Sequence, residues 1–254
     1  NQFKILAIKV AAKRILDNAL LLIREFITTC DKFSIDIDFM AERINRDRES
    51  LTDVFREILS IACDEDGVTF DIESLKTEPI TVDKKYPGTR FLVTAHMDTI
   101  VHPMSMDVGF GDIITPCPEA VDYPLLLQDI PSINIQAYSL ETVIAEKFHA
   151  MIDRDIFNSR MKDFFDCYQI LNTRNLRDDV LYEAIKATFE NRHLEHKDNL
   201  QLFTEDFAVD TSRLQQWKLF LKKIQWKNDI DFKDVMAVVI IRLKSLYDKY
   251  WAEK

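Results

Sequence analysis

The sequence predicts a mixed α+β fold, in which a small mixed sheet flanked by helices is followed by an all-helical carboxyl-terminal domain. All seven prolines and all four glycines lie between Gly67 and Pro131. That stretch also contains alternating and β-branched runs, which indicate strands and turns. The segments on either side contain neither proline nor glycine and are free to be helical. We therefore expect two domains, residues 1–136 and 137–254.

The composition is that of an ordinary globular protein with an acidic balance. The chain has 254 residues, 47% of them hydrophobic, and a formal charge of −10. An acidic protein does not use its whole surface to bind nucleic acid, although a local basic channel remains compatible with this charge. Its four cysteines form no C-x-x-C pair, and no apolar run is long enough to span a membrane. We expect a cytoplasmic protein with reduced thiols and no membrane contact.

Two helices are predicted before the turn-rich stretch. Phe3–Phe26 is dense in Ala, Leu, Ile, Lys and Arg and contains no helix breaker. A second helix is predicted from the capping-box pattern Ser50–Asp53, which is followed by apolar residues at helical spacing up to Ala62. Between these helices lies the segment Phe33–Phe39, which reads as a short strand.

Strands are predicted after Gly67 because alternating and β-branched runs of residues begin there. Two of them are Val68–Ile72 and Ile80–Val82. Arg90–Met97 and Ile100–Val108 read as neighbouring strands joined by the short turn at Asp98 and Thr99.

Helices return from Ser139 onward. The apolar residues of the first one recur at helical spacing, and a lysine lies within that stripe. A second helix carries a run of alternating charges that begins near Ser159. Further helices are predicted at Asp179–Phe189, Leu214–Ile224 and Phe232–Tyr250.

The segment Phe33–Phe39 reads Phe-Ser-Ile-Asp-Ile-Asp-Phe and carries the first candidate site. Successive side chains of a strand alternate between faces, so Asp36 and Asp38 project from one face. Two carboxylates this close are stabilised by a hard cation such as magnesium, which also binds substrate phosphates. A solvated strand face is the more common reason for such a pattern, so the motif alone does not decide the function.

The charged residues of the two helices after Ser139 form the second candidate site. Lys147 lies in an apolar stripe, so it either extends to water or is held for a specific role. On the next helix, Lys162 and Asp166 have the spacing of an ordinary surface ion pair, and Asp163 lies one turn before Asp166. Arg160 reads as a structural partner of a nearby carboxylate.

Four blocks in this order resemble the AbiEii/AbiGii-type nucleotidyltransferase toxins of bacterial type IV toxin–antitoxin systems. The likeness extends over about residues 30–225. The blocks are Phe33–Phe39, Met106–Asp112, Tyr138–Met151 and Asn158–Tyr168. Several blocks in one order are far more specific than a single D-x-D motif. The resemblance implies a nucleotidyltransferase-like sheet and the transfer of NMP from an NTP to an RNA 3′ end, with tRNA as the expected acceptor.

The resemblance also assigns roles to individual residues. Asp36, Asp38 and Asp107 would hold Mg²⁺ or Mn²⁺, and Asp107, Lys147 and Asp163 would be the catalytic set. The remaining assignments are a nucleotide-binding group, consisting of Ser34, Lys147, Lys162 and Asn18, and a supporting group, consisting of Arg160, Asp166 and Glu146. The implied partners are the NTP, the RNA acceptor and a cognate antitoxin protein.

One departure from the family pattern and two alternative functions stay open. The family places a Gly-rich loop about one helix before the D-x-D motif, but no glycine precedes Gly67 here, and Asn18 stands where that glycine would be. A degenerate member that binds a nucleotide, an RNA or a partner without catalysis is therefore one alternative. The second is a zinc-dependent exopeptidase, because Thr94–Ile100 resembles a metal-binding H-x-D-T-V strand through His96 and Asp98. That chemistry needs a Glu-Glu pair, which this chain lacks.

Overall fold

The computed structural model describes residues 37–41, 47–62, 67–80, 88–123 and 132–254. Backbone contacts group the chain into two compact units, and each is described by itself. The β unit comprises Asn1–Asp112 and Ala120–Gln136, and the helical unit comprises Ile113–Glu119 and Ala137–Lys254. The helix predicted at Phe3–Phe26 lies outside the described residues, and the predicted domain boundary at residue 136 stays a prediction.

The β unit is built on a four-stranded sheet with the strand order β1-β4-β3-β2. Strand β1 runs parallel to β4, whereas the β2–β3 and β3–β4 pairs are antiparallel. This combination makes the sheet mixed, as predicted. The strands are β1 (Ile37–Met40), β2 (Val68–Pro79), β3 (Gly88–Met97) and β4 (Ile100–Gly109).

The β3–β4 hairpin confirms the two neighbouring strands predicted from the sequence. Met97 pairs with Ile100 across a two-residue turn, in which Asp98 has a φ of 52°. Aspartate tolerates this left-handed conformation better than most residues do. Strand β2 is longer than predicted, and Ile80 lies beyond its end. The rest of the strand predicted at Ile80–Val82 lies outside the described residues.

Helix α1 (Arg48–Leu59) covers one face of the sheet. Its N-cap is Asp47, whose side chain accepts a hydrogen bond from the Ser50 amide at 2.8 Å. The capping box predicted at Ser50 is therefore wrong, because Asp47 caps the helix three residues earlier. The Phe55 ring stacks on Phe91 of β3 at a centroid distance of 4.1 Å. Apolar residues of α1, β2, β3 and β4 form the core of this unit, including Leu51, Phe55, Val68, Phe91, Val93, Met104, Met106 and Val108.

A separate two-stranded sheet completes the β unit. It pairs β5 (Glu119–Tyr123) with β6 (Ile133–Ala137). Asn134 donates from Nδ2 to Asp122 Oδ1 at 3.1 Å, which links the two strands through their side chains.

The helical unit confirms the helices predicted after Ser139. Its last long helix is continuous but contains a π-helical turn at Ile240–Lys244. The helices are α2 (Leu140–Arg154), α3 (Met161–Thr173), α4 (Asp178–Asn191), α5 (Glu205–Val209), α6 (Thr211–Lys223), α7 (Phe232–Val239) and α8 (Ser245–Ala252), with 3₁₀ turns at Asp155–Phe157 and Gln201–Phe203. Within the described ranges, no helix combines the length and the apolarity needed to cross a membrane.

The helical unit has its own apolar core and a firmly capped entry. Ser139 caps α2 by accepting from the Thr142 amide, and both side chains donate hydroxyl hydrogen bonds to the Thr115 carbonyl oxygen. These bonds tie the segment Ile113–Glu119 to this unit. The core consists of fully buried aliphatic and aromatic residues, among them Ile144, Phe148, Met151, Phe164, Leu181, Ile185, Phe189, Phe232, Val235 and Leu243. A mixed α+β chain with a helical carboxyl-terminal part is thus confirmed.

Candidate active site

The sheet brings charged residues of consecutive strands into one row. In the parallel register of β1 and β4, Asp38 is the direct partner of Asp107. In the antiparallel register of β4 and β3, Asp107 is the partner of Arg90, and Glu78 of β2 continues the row. Paired positions of neighbouring strands share a face of the sheet. The prediction that Asp107 lies on a strand next to the D-x-D strand is therefore confirmed.

Arg90 forms a two-pronged ion pair with Asp107. Its Nε donates to Asp107 Oδ1 and its Nη2 donates to Asp107 Oδ2, each at 2.7 Å. The side chain of Arg90 is 46% exposed and that of Asp107 is 23% exposed. A planar guanidinium that engages both oxygens of a carboxylate gives the most specific geometry available to a charged pair. Arg90 is not among the site residues predicted from the sequence.

The other residues assigned to this part of the site cannot be placed as side chains. Ser34, Asp36 and Asn18 lie outside the described residues. Asp38 is described through its backbone register alone. Asp107 is thus the one predicted metal ligand whose side-chain contacts the structure describes.

The helical unit brings five predicted residues together in one cluster of charges. Lys147 of α2 contacts Asp163 Oδ1 at 3.1 Å and Asp166 Oδ2 at 2.7 Å, both on α3. Arg160 Nε lies 2.7 Å from Asp163 Oδ2, and Lys162 Nζ lies 2.8 Å from Asp166 Oδ2. Three cationic groups therefore face two carboxylates. The predicted pairing of Lys162 with Asp166 and the predicted contact of Arg160 with a nearby carboxylate are both confirmed.

The local structure explains how the cluster is held. The Asn158 side chain accepts a hydrogen bond from the Arg160 amide at 2.9 Å, which shapes the turn that precedes α3. Asp163 lies in the first turn of α3, where the helix dipole favours a negative charge. Its side chain is only 2% exposed, so it depends on the two cationic partners for solvation.

The electrostatics of the cluster keep Lys147 charged. Burial by itself would lower the pKa of Lys147, but Asp163 and Asp166 outweigh it, and the pKa lies above its usual value. Lys147 is therefore an ammonium ion at neutral pH and does not act as a base. The exposed fractions of Arg160 and Lys162, 51% and 58%, leave the outer cationic groups accessible to an anion.

Two further residues of α2 and α3 are buried or ion-paired. Cys167 of α3 is fully buried, and burial raises the pKa of its thiol well above the usual range. A protonated, inaccessible thiol is not a nucleophile. Glu146 of α2, predicted as a supporting residue, lies 2.7 Å from Arg192 and forms a half-buried ion pair with it.

The row on the sheet brings Asp38 and Asp107 to one register position, and the helical cluster holds three cationic groups beside two carboxylates. Within the described ranges, no three His, Cys, Asp or Glu side chains group as a metal centre. His96 and Asp98 therefore have no third described ligand that would make the zinc site of an exopeptidase. Asp98 instead occupies the hairpin turn.

No curated protein shows a significant match to this chain. A candidate nucleotidyltransferase from Helicobacter pylori is similar in structure at 14% identity and a TM-score of 0.47, over 98% of this chain and 95% of its own. JHP933 from Helicobacter pylori is similar at 13% identity and a TM-score of 0.45, over 89% of this chain and 80% of its own. Residues 31–238 match the family model described as nucleotidyl transferase AbiEii toxin, type IV TA system.

Proposed function

This chain belongs to the AbiEii family of nucleotidyltransferase toxins of type IV toxin–antitoxin systems, and we propose that it transfers NMP from an NTP to the 3′ end of an RNA. We further propose that the transfer depends on Mg²⁺ or Mn²⁺, that tRNA is the acceptor, and that the reaction takes place in the cytoplasm. A cognate antitoxin is the protein partner that membership of the family implies. The observation that carries the proposal is the register pairing of Asp38 with Asp107.

The residues of the sheet fit a divalent cation. Asp38 and Asp107 share one register position, and Asp36 precedes Asp38 by two residues in the sequence. Carboxylate oxygens are the ligands that Mg²⁺ and Mn²⁺ prefer. When bound, such a cation would neutralise charge on the triphosphate and lower the pKa of the attacking hydroxyl. We assign Asp36, Asp38 and Asp107 as its ligands.

Phosphate binding by the helical-unit cluster is supported by its three cationic groups, which outnumber its two carboxylates. Lys147 is held between Asp163 and Asp166, so its ammonium group has a defined position rather than a freely rotating one. We assign Lys147 and Lys162 to phosphate oxygens. Asp163 contacts both Lys147 and Arg160, and we assign it a positioning role toward these two groups.

A second candidate function is nucleotide or RNA binding without catalysis. It is favoured by one observation, the absence of any glycine before Gly67 in the printed sequence. Glycine lets backbone amides approach phosphate oxygens closely, and Asn18 retains only part of that freedom.

The proposal is tested by incubating the purified protein with magnesium, each α-labelled NTP in turn and total bacterial tRNA. The matched control carries Asp36→Ala and Asp38→Ala. Label that enters RNA with the wild type alone would establish the transfer and identify its nucleotide. If no label is transferred while the protein still binds an NTP, the non-catalytic function is the correct one. Replacing tRNA with an unstructured RNA of equal length tests the choice of acceptor.

A further inference from the structure

The ion pair between Arg90 and Asp107 involves a carboxylate that the proposed function assigns to the metal. Both oxygens of Asp107 accept a 2.7 Å hydrogen bond from the same guanidinium. The pair also follows the backbone register, since Arg90 and Asp107 are direct partners in the β3–β4 hairpin. Arg90 is therefore a fixed neighbour of Asp107.

A divalent cation and Arg90 must compete for Asp107. A cation that binds Asp107 shares each carboxylate oxygen with a guanidinium hydrogen bond, which leaves fewer lone pairs for the cation. It also adds two positive charges beside a guanidinium that cannot lose its own charge. Cation binding at Asp107 therefore weakens or breaks the Arg90 contact.

Arg90 has the properties needed to exchange one anionic partner for another. Its side chain is 46% exposed, so the guanidinium can move without opening the core. Its fork of donors matches phosphate oxygens as well as it matches a carboxylate. A triphosphate that arrives with the cation would bring such oxygens to the same row of the sheet.

We propose that Arg90 is a nucleotide-binding residue that exchanges Asp107 for triphosphate oxygens when a divalent cation binds Asp107. This inference rests on the proposed function, because it takes Asp107 as a metal ligand and an NTP as the substrate. Arg90 thereby weakens the binding of cation alone and strengthens the binding of nucleotide together with the cation. The site then favours the metal–nucleotide complex over the free metal.

The test measures two affinities in Arg90→Gln and in the wild type. The first is the affinity for Mn²⁺ without nucleotide, followed by water-proton relaxation. The second is the affinity for α,β-methylene NTPs in the presence of saturating Mn²⁺, followed by calorimetry. We expect Arg90→Gln to bind Mn²⁺ more tightly by on the order of fivefold, which is the scale of a partly exposed ion pair. We expect it to bind the nucleotide about tenfold more weakly, the scale of a lost charge-assisted contact.

Arg56→Gln is the matched control. Arg56 forms an exposed ion pair with Asp53 in the same unit, at 2.8 Å, and neither residue belongs to the proposed site. This variant should reproduce both wild-type affinities. Arg90→Lys keeps the charge but loses the fork, and we expect it to restore part of the nucleotide affinity.

The opposite signs of the two changes distinguish an exchanging residue from a structural one. If Arg90→Gln weakens both affinities or changes neither, Arg90 only supports Asp107 and the inference is wrong. The inference also fails if Asp107→Asn leaves the affinity for Mn²⁺ unchanged. In each of these cases the labelled-transfer experiment still decides the proposed function separately, because it depends on Asp36 and Asp38 and does not involve Arg90.

Discussion

Lys147 of α2 donates a hydrogen bond to Asp163 of α3 at 3.1 Å, and the acceptor is one of the most deeply buried carboxylates of the helical unit. Arg160 Nε forms an ion pair with the other oxygen of Asp163, at 2.7 Å. A buried carboxylate with two cationic partners fixes the distance between two helices. It also leaves an uncompensated charge if either side of the contact is removed.

The first prediction concerns the contribution of Asp163 to stability. Asp163→Asn removes the negative charge from between Lys147 and Arg160, so the free energy of unfolding of the helical unit should fall by about 3 kcal/mol. The measurement is urea unfolding followed by tryptophan fluorescence. All three tryptophans, Trp217, Trp226 and Trp251, belong to this unit, so the signal reports it selectively.

The control for this prediction is Asp248→Asn. Asp248 pairs with Lys244 at 2.6 Å, but its side chain is 55% exposed. Its loss should change the free energy of unfolding by less than about 0.5 kcal/mol. Equal effects of the two variants would contradict a special role for burial at Asp163.

The second prediction concerns stability at alkaline pH. Asp163 and Asp166 raise the pKa of Lys147 in the folded state above its usual value of 10.5. The raised pKa contributes stability that is fully present below about pH 10.5, and it is lost as the pH rises through the folded-state value. The difference in unfolding free energy between the wild type and Lys147→Met should therefore shrink above that pH.

Urea midpoints measured by tryptophan fluorescence from about pH 8 to pH 11.5 check this expectation. Lys233→Met is the matched control, because Lys233 lies 3.5 Å from Glu205 in a pair whose members are 60% and 79% exposed. At pH 8 the difference between the wild type and this control should be smaller than the difference for Lys147→Met, because an exposed ion pair contributes little stability. A difference for Lys147→Met that grows with pH would contradict a raised pKa at this lysine.

The third prediction concerns the two cysteines that the structure describes. Cys117 is exposed, whereas Cys167 is fully buried and burial raises the pKa of its thiol. In the native protein at pH 8, iodoacetamide should modify Cys117 and leave Cys167 unmodified. Peptide mapping by mass spectrometry gives the answer, and the same reaction in denaturant should label both. Early labelling of Cys167 would show that α3 does not pack as described.

The fourth prediction concerns catalysis by the β unit. Asp107→Asn should lower kcat for nucleotide transfer by at least about 100-fold, because a neutral amide cannot balance the charge of the cation. Circular dichroism should show an unchanged fold, since both residues of the Arg90 pair reach solvent. Asp53→Asn, on the exposed face of α1, is the control and should retain full activity. A twofold loss or less at Asp107 would remove it from the proposed ligand set.

The sequence was sufficient to predict the strands and helices that carry the described candidate residues. The β3–β4 hairpin, the strand that carries Asp38, and the helices that carry Lys147 and Asp163 all follow from periodicity and turn residues. Arg90 was missed although its signal was present. A two-residue turn at Asp98 and Thr99 makes Met97 face Ile100, and counting outward from that pair places Arg90 opposite Asp107.

Two other features, the N-cap of α1 and the burial of Asp163, could not be predicted from the local sequence pattern. Asp47 and Ser50 are both good N-cap residues. In the structure Asp47 is the N-cap, and α1 begins at Arg48. The burial of Asp163 was not predicted, because an acidic residue near the start of a helix usually faces water. Its burial depends on the packing of α3 against α2 and α7, which only the tertiary structure reveals.

The parallel pairing of β1 with β4 also bears on the order in which the strands of the β unit pair during folding. Strand β1 precedes α1, β2 and β3 in the chain, and its partner β4 follows all of them. Closing so long a loop costs entropy, so contacts of this kind form late in folding. Asp38 and Asp107 become register partners when β1 pairs with β4. The register pairing of Asp38 with Asp107 therefore depends on the folding of the whole segment from β1 to β4 and not on local sequence.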